Sequence, residues 1–328
     1  MGRELDVAVE RFPVAGRFTI ARGSRTEIVV VTATIRDGEA RGRGECVPYA
    51  RYGETADSVM AAIESVRDRV RAGLDRAELQ ALLPAGAARN ALDCALWDLD
   101  AKRAGAPAHV LAGIDRLAPV TTAFTISLAE PDAMAEAAAR AAERPILKIK
   151  LGAPEGDEAR IAAVRRAAPG ATLIADANEG WTDENLSRHL AACAEAGYAL
   201  VEQPLKAGQD AQLASVPRGL LICADESVHD RRTLSDLVGR YDAVNLKLDK
   251  TGGLTEALAM AAEAQALGFK LMVGCMLGTS LAMAPAMLLT PRASFVDLDG
   301  PLLLARDRDE ALTYEGSVMH PPARSLWG

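Results

Sequence analysis

Charged side chains end a series of short apolar runs in the second half of the sequence. The runs are 146–150, 173–176, 199–202, 221–225 and 244–247, and each has the length and composition of a buried strand. Burying an isolated charge costs several kcal/mol, so these groups need a common physical reason to lie there. A divalent cation held by three carboxylates between lysines would provide that reason.

Three of these charges are the carboxylates Asp176, Glu202 and Asp225, at the ends of consecutive runs. Neighbouring strands of a sheet lie about 4.8 Å apart, so the three side chains can converge on one ion. An all-oxygen site without His or Cys favours Mg²⁺, with Mn²⁺ as a possible substitute, over zinc. The alternative is that each acid is a solvated loop residue or a helix cap, which is a weaker explanation for three acids in adjacent units.

Lysines flank the carboxylates in sequence. Lys148 and Lys150 are two residues apart in one predicted strand, so their side chains point to the same face. Each is expected to lower the pKa of the other, and a lysine with a lowered pKa is a competent general base near neutral pH. Lys247 ends a later run on the far side of the carboxylates, whereas Lys250, three residues on, is predicted to be a surface lysine.

The last predicted strand carries a further acid pair, Asp297 and Asp299, with the same spacing of two residues. Two carboxylates on one face of a strand can bind a substrate ammonium group. The alternative is an acid pair that forms the turn before Gly300 and Pro301, and the residues alone leave both interpretations open.

Strands and helices alternate from Val120 onward, which is the pattern of a parallel barrel. Strands are predicted to begin near Val120, Ile146, Thr172, Ala199, Leu220, Ala243, Lys270 and Ser294. Ala-rich helices are predicted between them, at 131–143, 155–168, 183–196, 231–238, 255–268 and 280–289. Eight such units predict an α/β fold of the (β/α)8 TIM-barrel type, with the charged strand ends on one rim. An open doubly wound sheet is the alternative, although it normally uses fewer strands.

Residues 1–115 do not follow this rhythm and are predicted to form a small α+β capping domain. The segment 28–36 reads as a strand, with a second strand edge near Gly42 and Gly44. Helical spacing predicts helices over 55–72 and 87–103. The barrel is then expected over 116–300, and the tail 301–328 is expected to fold back and complete the capping domain.

Composition restricts the partners of the protein. The net charge of −8 argues against nucleic acid, since phosphate binding needs a basic surface. Five cysteines without a Cys-x-x-Cys pair favour reduced thiols, and hence a cytoplasmic location, over a disulfide framework. No signal peptide is visible and no apolar run has the length of a membrane span. We therefore expect a cytoplasmic protein that acts on a small molecule, without nucleic-acid or membrane partners.

Taken together, these residues resemble the enolase superfamily, in its muconate-lactonizing-enzyme subgroup. The matching motifs are Lys148-Ile149-Lys150, Asp176-Ala177-Asn178, Glu202-Gln203-Pro204, Asp225-Glu226-Ser227 and Asn245-Leu246-Lys247. The resemblance implies a modified (β/α)7β barrel with a capping domain, and Mg²⁺ bound by the three carboxylates. It also implies that Lys150 and Lys247 are acid/base catalysts on opposite faces of the substrate, with Lys148 stabilising the enolate.

Within that subgroup the sequence is most similar to the bacterial L-Ala-D/L-Glu epimerases. The stretches 20–25, 274–277 and 297–301 carry this resemblance. It implies that Asp297 and Asp299 bind the free ammonium group of a dipeptide. It also implies that the substrate is lined by a set from several strands: Thr125, Lys148, Cys275, Met276 and Leu277. Gly278 departs from the pattern, because many members of the subgroup have a glutamate there.

The expected reaction is inversion at the Cα of the C-terminal residue of a dipeptide. One lysine removes the α-proton, an enediolate forms, and the other lysine returns a proton to the opposite face. A C-terminal Glu has a second carboxylate, and one of Arg22, Arg25 and Arg51 in the capping segments is expected to bind it. If Ala-Glu is the preferred substrate, recycling of murein peptides is the expected setting. Barrels of this family often assemble, and the sequence leaves a homo-oligomer open.

Other activities remain open at this point. They are a dipeptide epimerase of other specificity, an N-acylamino acid racemase, o-succinylbenzoate synthase and muconate cycloisomerase. The acid pair Asp297 and Asp299 favours the dipeptide, since those other substrates carry no free ammonium group. A barrel that binds a metal without catalysis is the non-enzymatic alternative, and the complete set of two bases and three ligands argues against it.

Overall fold

An antiparallel sheet and a group of helices form the first part of the molecule, in a computed structural model that describes residues 2–328. The strands β1 (Glu4–Ile20), β2 (Gly23–Asp37) and β3 (Ala40–Cys46) pair in the order β1-β2-β3. The helices that follow are α1 (Ala56–Ser65), α2 (Arg67–Arg71), α3 (Arg76–Leu82), α4 (Ala87–Ala104) and α5 (Ala108–Leu111). The expected α+β character of this part is therefore present.

Three features of the first part differ from the prediction. The strand β1 was not predicted, because Glu10, Arg11 and Pro13 interrupt its apolar pattern; β1 is an edge strand, where polar residues and proline are tolerated. The predicted helix over 55–72 is divided at Val66, which leaves the helical conformation between α1 and α2. The short helix α3 was also not predicted.

Helix α4 packs directly on β3, and two glycines make this possible. A Cβ atom on Gly42 would lie 2.1 Å from the carbonyl oxygen of Ala95, and one on Gly44 would lie 2.1 Å from that of Ala91. Real side chains do not approach a backbone so closely, so only glycine allows this distance between helix and strand.

Eight parallel strands form the barrel, in sequential order round its wall. They are β5 (Phe124–Ile126), β6 (Ile146–Lys150), β7 (Thr172–Asp176), β8 (Leu200–Glu202), β9 (Leu221–Ala224), β10 (Ala243–Leu246), β11 (Lys270–Gly274) and β12 (Phe295–Asp297). The backbone N–H of Ala123 donates to the carbonyl of Val296 at 2.8 Å, which brings the first and last strands together. The prediction of an α/β barrel is confirmed, and the open doubly wound sheet is wrong.

The first barrel strand lies four residues later than expected. The pair that was expected to begin it, β4 (Val120–Thr121), instead joins a small antiparallel sheet with β13 (Tyr314–Glu315) and β14 (Val318–Met319) from the tail. The β13–β14 hairpin turns at Gly316, which has a positive φ, and its second strand pairs antiparallel with β4. This long-range pairing leaves no trace in the local sequence pattern.

Helices cover the outer wall of the barrel. They are α6 (Pro131–Arg140), α7 (Asp157–Ala167), α8 (Asp183–Glu195), α9 (Leu248–Thr251), α10 (Leu254–Ala266) and α11 (Ser280–Ala286). The helix predicted over 231–238 is two 3₁₀ turns, Arg231–Thr233 and Ser235–Leu237, since Ser and Asp compete with helical hydrogen bonds there. The helix predicted over 280–289 ends at Ala286 and continues as a 3₁₀ segment that contains Pro291. Within residues 2–328 no helix is long and apolar enough to cross a membrane.

The tail contacts the first part of the chain as well as the barrel. Arg43 on β3 donates to the carbonyl of Leu326 at 2.8 Å. Arg308 forms ion pairs with Glu10 on β1 at 2.8 Å and with Glu45 on β3 at 2.7 Å. These contacts agree with a tail that folds back, and the domain limits 1–115 and 116–300 stay predictions.

Helix α4 also attaches the capping part to the barrel loop that follows β10. The Arg89 guanidinium donates to the carbonyl oxygens of Thr251 at 2.7 Å and Gly252 at 3.0 Å. Asp93 accepts a hydrogen bond from the backbone N–H of Thr255 at 2.9 Å. The same loop begins at Lys247, so the position of this lysine depends on how α4 packs against the loop.

We expect Gly44→Ala to lower the free energy of unfolding by about 1–3 kcal/mol, because the new methyl group overlaps the Ala91 carbonyl and forces α4 away from β3. Urea-induced unfolding followed by circular dichroism measures the change. The matched control is Gly170→Ala, where a Cβ meets nothing within 4 Å and which should change the value by less than about 0.5 kcal/mol. Equal stabilities of the two variants would contradict this account of the packing.

Candidate active site

The predicted charged residues meet at the carboxyl ends of the barrel strands. Lys150 at the end of β6 lies opposite Asp176 at the end of β7, which in turn lies opposite Glu202 at the end of β8. Asp225 follows β9 directly and Lys247 follows β10 directly. All five side chains are buried, so the rim is a dry cluster of opposite charges.

One oxygen of each carboxylate faces a lysine of the site. Asp176 Oδ2 lies 2.6 Å from the Nζ of Lys150. Glu202 Oε2 lies 2.7 Å from the Nζ of Lys148, which also contacts Asp176 at 3.1 Å. Asp225 Oδ2 lies 2.7 Å from the Nζ of Lys247. Lysines thus neutralise the inner oxygens of all three acids.

The other oxygen of each carboxylate is held from outside the cluster. Asp176 Oδ1 accepts a hydrogen bond from the backbone N–H of Asn178 at 3.0 Å. Glu202 Oε1 accepts from the side-chain amide of Asn245 at 2.7 Å, and Asp225 Oδ1 from the ammonium of Lys250 at 2.6 Å. These outer donors orient the carboxylates, as partners of metal ligands commonly do.

The prediction of Lys250 as a surface residue is wrong. Its side chain is 1% exposed, and its ammonium also donates to the carbonyl oxygens of Asp225 at 2.6 Å and Asn245 at 2.9 Å. The reason is helix α9, which begins directly after Lys247 and returns the residue three positions later to the same side. A prediction from the sequence that a helix starts at Leu248 would have indicated this placement of Lys250.

The pKa directions follow from this pairing. Burial raises the pKa of Glu202, whereas in Asp176 and Asp225 the neighbouring ammonium groups outweigh burial and lower the pKa. Burial also opposes the charged form of Lys148, but Asp297 and Glu202 outweigh it and hold the pKa of Lys148 well above its ordinary value. The expected lowering of the Lys148 pKa is therefore wrong, because the carboxylates that face this lysine outweigh burial.

The three carboxylates are suitable ligands for a hard divalent cation, although in this structure they do not surround a common point. Within residues 2–328 no three acidic, His or Cys side chains already surround one point. The Lys148 ammonium lies between Asp176 and Glu202 instead. Glu202 Oε2 is buried and has the Lys148 ammonium as its close partner, so it becomes available to a cation once that ammonium moves aside. Three carboxylates with only oxygen donors match the ligand preference of Mg²⁺.

Asp297 and Asp299 both reach the site, but they are held differently. Asp297 Oδ2 lies 2.7 Å from the Nζ of Lys148, while its Oδ1 is buried without a hydrogen-bond partner. Asp299 accepts a hydrogen bond from the backbone N–H of Thr125 at 2.7 Å. Burial, together with the Asp297 charge, raises the pKa of Asp299 to about 7. The buried Oδ1 atom of Asp297 is therefore an acceptor without a partner.

Segments of the capping part close the site from above. A cavity of about 50 Å³ remains over Lys150 and Lys247. Its other walls come from the capping segments and from the loops after β7, β9 and β11: Phe18, Ile20, Arg22, Arg25, Val47, Tyr49, Tyr52, Asn178, Asp225, Glu226, Cys275, Met276 and Leu277. The predicted lining residues from the loop after β11 thus face the predicted bases.

The three candidate arginines have different surroundings. Arg22 donates to the carbonyl of Asn178 at 2.8 Å and forms an ion pair with Glu226 at 2.7 Å. Arg51 binds both carboxylate oxygens of Glu179, each at 2.8 Å. For the Arg25 guanidinium, no hydrogen bond or ion pair is found among residues 2–328. Arg25 is therefore the one of the three that remains available to a substrate carboxylate.

Glu45 occupies the space beside Gly278. A Cβ on Gly278 would lie 3.3 Å from Glu45 Oε1, and the Glu45 carboxylate accepts a hydrogen bond from the backbone N–H of Thr279 at 2.8 Å. A glutamate at position 278 would meet this buried carboxylate. The ion partner of Lys247 is Asp225 instead.

The sequence analysis assigned no role to three of the residues that hold the site. They are Asn245, Glu179 and Glu226, which bind Glu202, Arg51 and Arg22 respectively. Asn245 stands two residues before Lys247 and shares its face of β10, which was an available signal. The partners of the two glutamates are far away in sequence, so no local pattern could have indicated them.

Family comparisons agree with this arrangement of fold and charges. Residues 3–113 match the mandelate racemase / muconate lactonizing enzyme N-terminal domain, and residues 133–325 match the enolase C-terminal domain-like family. The chain belongs to the enolase superfamily. The family resemblance and the fold predicted from the sequence are confirmed.

Individual relatives are named racemases and epimerases. The chain is 50% identical over 320 residues to the L-Ala-D/L-Glu epimerase of Escherichia coli K12, covering 97% of this chain and 99% of that protein. It is 44% identical to the N-acetyl-D-glutamate racemase of a Pseudoalteromonas species, covering 91% of this chain and 95% of that protein. The prediction of an isomerase of the racemase and epimerase type is confirmed.

Solved structures show the same architecture. An enolase family member from Agrobacterium tumefaciens, with bound sodium and L-Ala-L-Glu, has a TM-score of 0.98 and 59% identity, covering 99% of this chain and all of that one. A dipeptide epimerase from Enterococcus faecalis, complexed with Mg and L-Leu-L-Tyr, has a TM-score of 0.92 and 29% identity, covering 100% of this chain and 99% of that one.

We expect Lys250→Met to lower the free energy of unfolding by about 3–5 kcal/mol, because it leaves the buried Asp225 carboxylate without one of its two ammonium partners. Urea-induced unfolding in the presence of a chelator measures the change without a contribution from bound metal. Lys206→Met, at an exposed lysine, is the control and should change stability by less than about 0.5 kcal/mol. A loss below about 1 kcal/mol for Lys250→Met would mean that this lysine does not support the carboxylate.

Proposed function

We propose that the protein is a Mg²⁺-dependent dipeptide epimerase with a preference for L-Ala-D/L-Glu. The observation that carries this proposal is the pair of buried lysines, Lys150 and Lys247, which lie at the ends of β6 and β10 with carboxylates between them. The relative of 50% identity that is named L-Ala-D/L-Glu epimerase supports the choice of reaction.

Asp176, Glu202 and Asp225 would hold the Mg²⁺ ion, and Mn²⁺ could replace it, since both cations prefer oxygen ligands. When bound, the ion supplies Lewis-acid stabilisation to a substrate carboxylate. The solved relative that contains Mg and a dipeptide supports this cofactor.

Two lysines on opposite sides suit inversion at a carbon atom. The Cα–H bond beside a carboxylate is a very weak acid, so its cleavage needs a positioned base and stabilisation of the developing negative charge. One lysine takes the proton at its Nζ, and the other, as an ammonium, donates a proton to the opposite face. Lys148 adds positive charge where the enediolate forms.

The free ammonium of the dipeptide would bind at Asp297. Its Oδ1 atom is buried and has no hydrogen-bond partner, so an ammonium donor there would satisfy it. Asp299, held by the backbone of Thr125, would fix the neighbouring wall. Cys275, Met276 and Leu277 would line the remainder of the substrate.

A racemase of N-acylated glutamate is the second candidate, because the relative with 44% identity is named N-acetyl-D-glutamate racemase. An N-acyl group carries no ammonium, so Asp297 and Asp299 would have no charged partner in that substrate. This absence favours the dipeptide.

We expect Asp297→Asn to lower kcat/KM for L-Ala-L-Glu by about 10–100-fold, since a charge-assisted hydrogen bond to the ammonium is lost. Activity toward N-acetyl-L-glutamate should not fall by the same factor. Chiral chromatography of both products measures the two rates. A wild-type kcat/KM that is higher for N-acetyl-L-glutamate than for L-Ala-L-Glu would contradict the dipeptide assignment.

Arg25 would bind the side-chain carboxylate of a C-terminal Glu, because Arg22 and Arg51 are engaged by acids of the protein. We expect Arg25→Gln to lower kcat/KM for L-Ala-D-Glu by about 10–100-fold and to leave L-Ala-L-Ala within about twofold of wild type. Arg11→Gln is the control, since Arg11 lies on the same pair of strands and binds only the exposed Glu27 at 2.7 Å. Equal losses for both substrates would exclude this role for Arg25.

Murein peptides supply L-Ala-D-Glu units, so peptide recycling in the cytoplasm is the setting that we propose for such a preference. A comparison of L,L- and L,D-dipeptides with varied second residues would measure how wide the preference is.

A further inference from the structure

The space over the candidate bases is too small for the proposed substrate. The cavity beneath the capping segments measures about 50 Å³, which is room for one or two water molecules. Pockets that bind small ligands usually measure hundreds of Å³. The structure therefore shows the site in a closed state, and a dipeptide can enter only when the capping segments move away.

Two separate capping segments close the site, and one barrel carboxylate holds both of them. Arg51, from the segment after β3, binds Oε1 and Oε2 of Glu179 through two hydrogen bonds of 2.8 Å each. Arg22, from the turn between β1 and β2, contacts Glu179 Oε2 at 3.2 Å. Glu179 Oε1 also accepts a hydrogen bond from the backbone N–H of Ala207, in the loop after β8, at 2.9 Å. Four segments of the chain thus meet at one buried side chain.

Glu179 is fixed on the barrel side of these contacts. Its backbone lies in the left-handed region with a φ of 67°, which is uncommon for a residue other than glycine. Its N–H donates to the carbonyl of Gln203 at 2.9 Å, and the following Gly180 donates to Ala177 at 2.8 Å. Although burial opposes the charged form, the hydrogen bond from Arg51 keeps the pKa of Glu179 below its ordinary value. The acid is therefore a fixed, ionised anchor for the two arginines.

We propose that Glu179 is a positioning residue that holds the two capping segments, through Arg51 and Arg22, in the closed position over the site. Glu179 makes no contact with Lys150 or Lys247, so it acts on the reaction only through closure. Arg22 adds a second contact on the barrel, with Glu226 at 2.7 Å, but Arg51 has only Glu179 as its acidic partner among residues 2–328. The segment that carries Arg51 should therefore depend most on this carboxylate.

The test compares Glu179→Gln, Arg51→Met and the double variant in the full-length, Mg²⁺-loaded protein. Glu179→Gln keeps the size of the side chain and removes its charge. We expect about a tenfold rise in KM for L-Ala-L-Glu with kcat within about threefold of wild type. The reason is that weaker closure lowers the affinity for the substrate more than it slows the chemical step. The double variant should resemble the single variants, since both remove the same ion pair.

A second measurement does not depend on turnover. Trypsin cleaves after arginine; Arg22 lies in the turn between β1 and β2 that the contacts hold down, and Arg25 lies at the start of β2. Mass spectrometry of the N-terminal fragments should show cleavage at these two sites about tenfold faster in Glu179→Gln than in wild type.

Glu310→Gln is the matched control, because Glu310 accepts a 2.9 Å hydrogen bond from Arg43 at an exposed position remote from the site. Its KM and cleavage rate should equal those of wild type. Thermal unfolding verifies that each variant is folded.

The outcomes separate this inference from the proposed function, on which it rests only for the identity of the substrate. Unchanged KM and unchanged cleavage in both single variants would overturn the role of Glu179. Effects that multiply in the double variant would also overturn it, because the two residues would then act independently. Faster cleavage in a protein that turns over no dipeptide would leave the role of Glu179 intact and refute the proposed function.

Discussion

The concentration of like charge at the barrel rim is the constraint on which the rest of the structure depends. Three carboxylates on adjacent strands lie in a dry interior, where each would repel the others and lose its hydration. Lysines offset this repulsion and the loss of hydration, since a lysine ammonium lies beside one oxygen of every acid. Asn178, Asn245 and Lys250 donate hydrogen bonds to the other oxygen. The ammonium groups balance the charge of the three acids, and the inner oxygens would be available to a cation once the ammonium of Lys148 withdraws.

This charge pairing also explains why the capping part is needed. Water at the rim would screen the contacts between lysines and carboxylates, so a closed site makes each of them stronger. Helix α4 holds one side of the cap on the loop after β10, through Arg89 and Asp93. The other side is held by Arg22 and Arg51, through ion pairs with Glu179 and Glu226 and a hydrogen bond from Arg22 to the carbonyl of Asn178.

Local rules of sequence predicted the positions of the charged residues at the rim well. In a parallel barrel, an apolar run that ends in a charged residue is best explained as a strand whose carboxyl end carries the charge. Asp176, Glu202 and Lys247 could therefore be placed without coordinates. Lys250 was misplaced because the short helix α9 gives too little periodicity to be recognised. The pairing of β4 with the tail and of Arg51 with Glu179 joins segments far apart in sequence, and local spacing contains no information about such contacts.

The central claim is that Lys150 and Lys247 each exchange a proton with the same Cα atom, from opposite faces of the substrate. Incorporation of deuterium from D₂O into L-Ala-L-Glu and L-Ala-D-Glu, followed by NMR in Lys150→Ala and Lys247→Ala, tests it most directly. The account predicts that neither variant epimerises, and that each exchanges the Cα proton of only one epimer, with the opposite epimer in each case. Exchange of the same epimer by both variants, or no exchange of any dipeptide by the Mg²⁺-loaded wild-type protein, would contradict it.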